Sequence, residues 1–307
     1  MHSSGQQPRP SGIPMALGAH LIWGLLPLYL MLVREVPAFE FVGWRVIFTV
    51  PVCLLFIVLR RQGPDLHAAL ADRKVLRNLL LSAILVGTNW LIYIAAVQSG
   101  HIFAASLGYY IIPLVNVLTG TVFLGERLSP RQWWAAGLAG VGVAILAWGA
   151  LDMLWISLSL AITFSTYGLV RKLTPVGSLP GLTIESALLL LPGIGIVLWY
   201  ALSPAGMSFG REVSSSLLIA GSGVVTAVPL LLFAIAARRM DYSMLGFFQF
   251  VSPNIVFLLG LFVFHEPLRP VQLASFIVIW AAIGLFVWDL LARRTAQAIR
   301  QPSTSEA

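Results

Sequence analysis

Residues 89–132 read NWLIYIAAVQSGHIFAASLGYYIIPLVNVLTGTVFLGERLSPRQ. The stretch is two apolar helices joined by a short polar turn, then a tight corner into a third. Asn89 and Tyr93 stand four residues apart and share one face of the first helix. On the second helix Ser106, Tyr109, Pro113, Asn116 and Gly120 follow each other by three or four, as a small and polar stripe. Opposite it stand Leu107, Ile111, Leu114 and Leu118, which suit lipid. A membrane helix with one polar stripe turns it toward a protein interior or a water-filled cavity.

The stretch recurs. From Leu245 the chain reads LGFFQFVSPNIVFLLGLFVFHEPLRPVQL. Pro113, Gly120, Glu126, Leu128, Pro130 and Gln132 match Pro253, Gly260, Glu266, Leu268, Pro270 and Gln272, all at an offset of 140. Leu107-Gly108 matches Leu245-Gly246 at 138, so the later copy carries two extra residues before its proline. Identities held at one offset point to an internal duplication.

Charged residues make up 10% of the chain and hydrophobic ones 58%, against roughly 25% and 45–50% in soluble domains. Such a chain cannot cover itself with water-facing side chains, so it reads as an integral membrane protein. The net charge of +7 does not indicate nucleic acid, because the basic residues sit in short loops and tails between apolar spans. They read as topological signals at a membrane surface. The single cysteine, Cys53, excludes a disulfide framework or a cysteine metal site and reads as packing. The polar opening MHSSGQQPRPSG has no small-residue cleavage site and reads as a short disordered tail.

A membrane helix needs about 20 mostly apolar residues. That yardstick gives ten spans: 13–33, 40–60, 76–96, 104–124, 131–149, 152–170, 181–201, 216–236, 243–264 and 271–291. The segment 61–75 is basic and amphipathic, which suits a membrane surface. With the N-terminus in the cytoplasm, the inside segments hold fifteen of the 19 basic residues. Only Arg34, Arg211 and Arg269 fall outside, and Arg45 lies within a span. That bias puts both termini inside.

The expected fold is an all-α integral membrane protein of ten transmembrane helices in two inverted five-helix repeats. The first repeat occupies 13–149 and the second 152–291, between cytoplasmic tails 1–12 and 292–307. An odd number of spans per half turns the second copy upside down. Charge agrees, since the corner at Glu126 falls inside and Glu266 outside. Inverted repeats are a transporter architecture whose halves rock around a site near the midplane.

Arg45 sits five residues into the second span, behind Glu40 at its mouth. One reading is a snorkelling or structural Arg paired with Glu. The other is an anchor for an anionic substrate group, or the partner of a coupling carboxylate. Glu185 holds in the second half roughly the place of Glu40 in the first. It is either paired across helices or protonated, and a carboxylate poised that way is what proton coupling requires. The competing reading is a helix-mouth residue that faces water. Asn89, Trp90, Tyr93, Tyr109, Tyr110 and Asn116 form the best cavity wall, with Gln249 and Asn254 answering from the second half. Aromatic walls with a few fixed polar groups suit a mostly apolar or aromatic small molecule. For the asparagines the competing reading is interhelical hydrogen bonding. His20, Trp23, Pro27 and Tyr29 give the first span a similar polar, kinked face. Trp133, Trp134, Trp148 and Trp288 read as an interfacial belt. The corner after Glu126 is a capping-box pattern with proline at the first helical position. His265-Glu266 has no further ligands at useful spacing, so no metal site and no cofactor is expected.

These residues resemble the drug/metabolite transporter superfamily in its EamA-type branch of two five-helix repeats. The opening stretch looks like the signature of RarD-type permeases, as do AHLIWGLLPLY, FVGWR at Arg45 and LPGLTIESALLLLP around Glu185. The likeness covers about residues 13–295. It implies a bacterial inner-membrane permease and amphiphiles of the chloramphenicol type, from the phenotype behind the name.

The leading reading is a secondary transporter of small organic metabolites or drugs, with the lipid bilayer as surroundings and a homodimer left open. A membrane-embedded enzyme would need clustered His, Asp, Glu or Ser on facing helices, and the ionisable residues here are dispersed. A passive pore or a receptor is the third class, and a receptor would add a soluble output domain. No phosphate-cradling glycine loop, zinc-ligand cluster or nucleophile elbow is present.

Overall fold

The computed structural model describes residues 11–99, 101–204, 206–265 and 270–300. Glu266 and Leu268, two of the repeat identities, lie outside the described residues, as do residues 1–10 and 301–307 of the expected tails; residues 292–300 continue the last helix.

The described elements are helical. Successive spans are α1 (Ile13–Leu32), α2 (Ala38–Leu59), α4 (Arg73–Gln98), α5 (Ile102–Leu124) and α6 (Pro130–Ala147). A short α3 (Gly63–Ala71) lies between α2 and α4. A single 3-10 turn, Trp148–Met153, leads into α7 (Leu154–Leu173), α8 (Ser178–Leu202) and α9 (Val213–Arg239). Then come α10 (Tyr242–Gln249), α11 (Val251–Phe262) and α12 (Pro270–Arg300). With no water in a bilayer core, helices satisfy their own backbone groups, and interior prolines are tolerated. Pro27, Pro51, Pro113, Pro192 and Pro229 all sit inside helices.

Nine helical segments are long and apolar enough to cross a membrane among the described residues, one of them Tyr242–Phe262 through α10 and α11. Ten were expected. The difference is α6, only 18 residues long and opening Pro-Arg-Gln-Trp-Trp, which dilutes its hydropathy. Its corner follows the pattern read from sequence. Gly125 takes a left-handed conformation (φ 65°) that ends α5, as glycine does at a helix C-terminus. The Gln132 backbone N–H donates to Ser129 Oγ at 3.1 Å, and the Ser129 N–H donates to Gln132 Oε1 at 2.9 Å. α3 falls inside the expected surface segment 61–75 and is mostly exposed, with Ala69 buried.

α2 packs on α8 and α9, α4 on α7 and α8, and α5 on α7 and α10; α1 lies on α9 and α11, and α6 on α12. α5 is therefore enclosed on both sides. Its expected lipid face does not survive this: Leu107 is 1% exposed, in a core shared with Ala135, Phe250 and Ile279. Ile111 is buried with it, and only Leu118 of that set is open, at 58%. Elsewhere large apolar side chains such as Phe123, Leu191 and Trp199 face outward, as a lipid-facing surface requires. Trp133, Trp134, Trp148 and Trp288 are also exposed.

Candidate functional site

α1 begins at what we term the entry end of the bundle and finishes at the far end. Gly12 lies beside Arg239 at the entry end, and Glu40 binds Ser208 at the far end. In the far half, Tyr29 of α1, Arg45 of α2, Trp90 and Tyr93 of α4, Tyr109 of α5 and Thr226 of α9 converge. Arg45 Nε donates to Thr226 Oγ1 at 2.9 Å. Its guanidinium carbon lies over the Trp90 ring, 5.2 Å from the centroid. Tyr29, Tyr93 and Tyr109 all lie within Coulombic reach of that charge. Tyr93 and Tyr109 meet edge to face at 5.7 Å. Tyr109 nevertheless keeps 37% of its surface accessible, and Tyr29, Arg45, Trp90 and Tyr93 are half-buried. The cluster therefore encloses accessible space and is not packed solid.

Toward the entry end this space meets a layer of rings. Trp23 lies 5.8 Å from both Phe164 and Phe233, and Phe164 lies 5.3 Å from Phe233 and 5.7 Å from Tyr167. His20 sits 5.3 Å from Trp23. The Ser252 hydroxyl donates to the His20 carbonyl at 2.9 Å, so the 3.1 Å contact between Ser252 Oγ and His20 Nδ1 needs its proton on the ring nitrogen. His20 Nε2 is then a bare acceptor, and no group of the described residues meets it.

Two ion pairs close the entry end below the rings. Arg171 Nε stands 3.5 Å from Glu185 Oε1, both residues almost wholly buried. Ser82 donates to the same carboxylate oxygen, and Arg171 Nη2 donates to the Ser178 carbonyl at 2.9 Å. Beside them Glu126 reaches from the α5–α6 corner to the N-terminus of α10. It accepts from the backbone N–H of Tyr242 at 2.6 Å and of Ser243 at 2.8 Å. A carboxylate at a helix N-terminus meets unpaired amides and the positive end of the dipole. Gly120 is needed here, because a Cβ on it would meet the Glu126 carboxylate and Ser243. Lys172 Nζ lies 3.9 Å from Glu126 Oε1 and donates to the Ala237 carbonyl in the last turn of α9 and to the Met240 carbonyl just after it.

The residues expected to form a cavity wall thus divide. Trp90, Tyr93, Tyr109, Tyr29 and Arg45 come together, and Trp23 belongs to the ring layer beside them. Asn89 is buried and donates to the Leu160 carbonyl and to Thr163 Oγ1 of α7, both at 2.9 Å. Asn116 donates to Gln249 Oε1 at 2.5 Å, across the α5–α10 crossing. The Tyr110 hydroxyl donates to the Pro253 carbonyl at 2.7 Å, and Trp280 Nε1 donates to Asn254 at 2.5 Å. These five hold helices together. Glu40 does not pair with Arg45. It accepts from Trp44 Nε1 at 3.0 Å and from the Ser208 N–H and hydroxyl at 2.6 and 2.8 Å, tying α2 to the α8–α9 loop. Sequence reasoning missed Thr226, a lone threonine in an apolar run, which carries no signal until α9 is laid against α2.

Comparison with known proteins agrees with this architecture. The sequence profile of the EamA-like transporter family matches residues 10–148. A Streptomyces exfoliatus protein named Protein RarD is 39% identical over 290 residues, covering 94% of this chain and 91% of its own length. A Salmonella typhi protein of the same name is 41% identical over 281 residues, covering 91% and 95%. A Pseudomonas aeruginosa relative named Chloramphenicol-sensitive protein RarD is 31% identical over 304 residues, covering 98% and 99%. One solved crystal structure superposes with a TM-score of 0.72 at 19% identity, covering 93% of this chain and all of its own, which speaks to fold alone. With relatives matched at this identity along nearly their whole length, this multi-pass membrane protein belongs to the EamA-like transporter family and is RarD-like.

Proposed function

We propose that the protein is a secondary transporter of small organic solutes, which bind in the far-half cluster around Arg45 and pass between its two ends. One observation carries this reading: accessible aromatic and polar side chains from four helices converge inside the bundle, backed by the buried Thr226 of a fifth, above a closed layer of rings. A packed structural core would leave no such surface.

Ten spans in inverted repeats belong to the same proposal. Ser129 Oγ donates to Asp289 at 3.0 Å near one end of the α6–α12 contact, and Ser275 Oγ donates to the Gly142 carbonyl at 2.6 Å farther along. α6 therefore runs antiparallel to α12 over about 20 Å, from 13 residues at 1.5 Å each, and crosses where α12 crosses. The helix pairs also follow a duplicated plan. α2 with α8, α5 with α10 and α6 with α12 each join a span to its own counterpart. The contact of α1 with α9 answers that of α4 with α7. Positive-inside counting then puts the entry end and both termini in the cytoplasm.

Coupling is assigned to Glu185 rather than Glu40. Both Glu40 oxygens accept hydrogen bonds, whereas Glu185 Oε2 meets no donor among the described residues and its pair with Arg171 lies where the entry end must open.

Proteoliposome uptake tests the class. A transporter gives saturable uptake, accelerated by unlabelled solute trapped inside, and a proton gradient drives accumulation. A pore gives non-saturating flux with no such acceleration, and an enzyme alters the solute chemically.

A further inference from the structure

We infer that the Arg45 cluster selects an organic monoanion, a carboxylate on an aromatic or apolar body. The inference rests on the transport reading for the role of the site, but its chemistry stands on charge accounting. Among the described residues the buried carboxylates are Glu40, Glu185 and Asp289. Glu40 is held by Trp44 and Ser208, and five residues along α2 put it about 140° around the helix from Arg45. Glu185 pairs with Arg171, and Asp289 pairs with Arg293 at 2.8 Å. The half-buried Glu126 is taken by Lys172 and the start of α10. No carboxylate of the described residues lies within 4.0 Å of Arg45. A cation inside a membrane bundle without a protein counter-ion is a site for an anion from elsewhere.

The donors are arranged for such a group. Thr226 holds Nε, and the Trp90 ring lies against the guanidinium, so the Nη1/Nη2 edge is fixed before a ligand arrives. Neither terminal nitrogen donates to a described protein group. That edge matches the two oxygens of a carboxylate. The hydroxyls of Tyr93 and Tyr109 likewise make no hydrogen bond within the described protein, and they stand beside the same charge with accessible surface. Tyr29 differs, because its hydroxyl donates to the Leu218 carbonyl. One cation offsets one negative charge, which favours a monoanion over a phosphate dianion. The rings of Trp90, Tyr93 and Tyr109 would receive the apolar remainder.

Five probes with similar bodies and different head groups test this: phenylacetate, phenylacetamide, phenethylamine, phenyl phosphate and chloramphenicol. Each is added to the purified full-length protein while thermal unfolding is followed, since a ligand of the folded state raises Tm by mass action. Phenylacetate should raise Tm with concentration, and the amide, amine and chloramphenicol should not. Arg45→Gln should weaken phenylacetate at least about tenfold, from lost charge-assisted bonds. The double variant Tyr93→Phe/Tyr109→Phe should weaken it about three- to tenfold, with the ligand-free Tm unchanged, and it decides the matter if Arg45→Gln does not fold. Equal responses to acid and amide, a stronger response to phenyl phosphate, a silent panel, or full phenylacetate response in the variants each overturn the inference. Failure of the transport reading is distinguishable: phenylacetate would then bind but show no counterflow in proteoliposomes. Amide or chloramphenicol counterflow that survives Arg45→Gln would keep transport and remove the anion site.

Discussion

Arg45 Nε donates to Thr226 Oγ1 at 2.9 Å, and this bond joins the second span to the ninth helix across the open part of the bundle. The orientation of the guanidinium depends on it, because no acidic side chain of the described residues shares the work.

Thr226→Val keeps shape but removes the acceptor. Uptake should fall several-fold through a raised KM, since a guanidinium with a freed Nε swings off the Trp90 ring. Size-exclusion profiles should match the native protein. An unchanged KM shows that Trp90 alone fixes the group.

Leu107 and Leu118 look equivalent on a helical wheel and are opposite in the fold. Leu107→Ala should destabilise by about 2–5 kcal/mol, the usual range for a buried leucine. Leu118→Ala, facing outward, should leave the melting temperature nearly unchanged. Detergent thermal melts compare the two directly, and equal effects contradict the packing of α5 described above.

That pair also shows how far the sequence could be read. Apolar runs and the capping box at Ser129 placed the helices and the α5–α6 corner, because length and local hydrogen bonding are one-dimensional properties. The arginine and four of the aromatic residues at the site were legible as well, since a charge inside a span is anomalous by itself. The part played by the amide side chains was not. Asn89, Asn116 and Gln249 are buried, as predicted for wall residues, but they hydrogen-bond across helix contacts, and the half-buried Asn254 accepts from Trp280. Periodicity reports which face is inward and not whether a partner already waits there. The interruption at Phe250 between α10 and α11 lies between Gly246 and Pro253, the interval in which the later copy carries two extra residues, and that change of offset is its trace in the sequence.

Glu126 should act as a latch across the halves. Glu126→Ala leaves the first amides of α10 without an acceptor, and losing such a cap costs about 0.5–2 kcal/mol. The melting temperature should fall by a few degrees, and Glu126→Gln, which can still accept one bond, should lose less. If both substitutions are silent, α10 is held by packing alone.

The buried pair of Arg171 and Glu185 makes a sharper case. Arg171→Ala leaves a buried carboxylate alone and should cost about 3–5 kcal/mol. Removing both charges together, as Arg171→Leu with Glu185→Leu, should recover much of that loss. Glu185→Gln should fold and still exchange solute down its gradient but fail to accumulate it against a proton gradient. Full proton-driven accumulation in that variant would make Glu185 structural.

Cys53, the only cysteine, is buried, so replacing it with alanine gives a clean background for a Tyr109→Cys probe. Membrane-impermeant maleimide, applied to right-side-out and inverted vesicles in turn, then asks whether the Arg45 cluster is reached from both sides of the membrane. A transporter that alternates around this cluster is labelled from either face. Labelling from one face only, or only by lipid-soluble reagents, contradicts it.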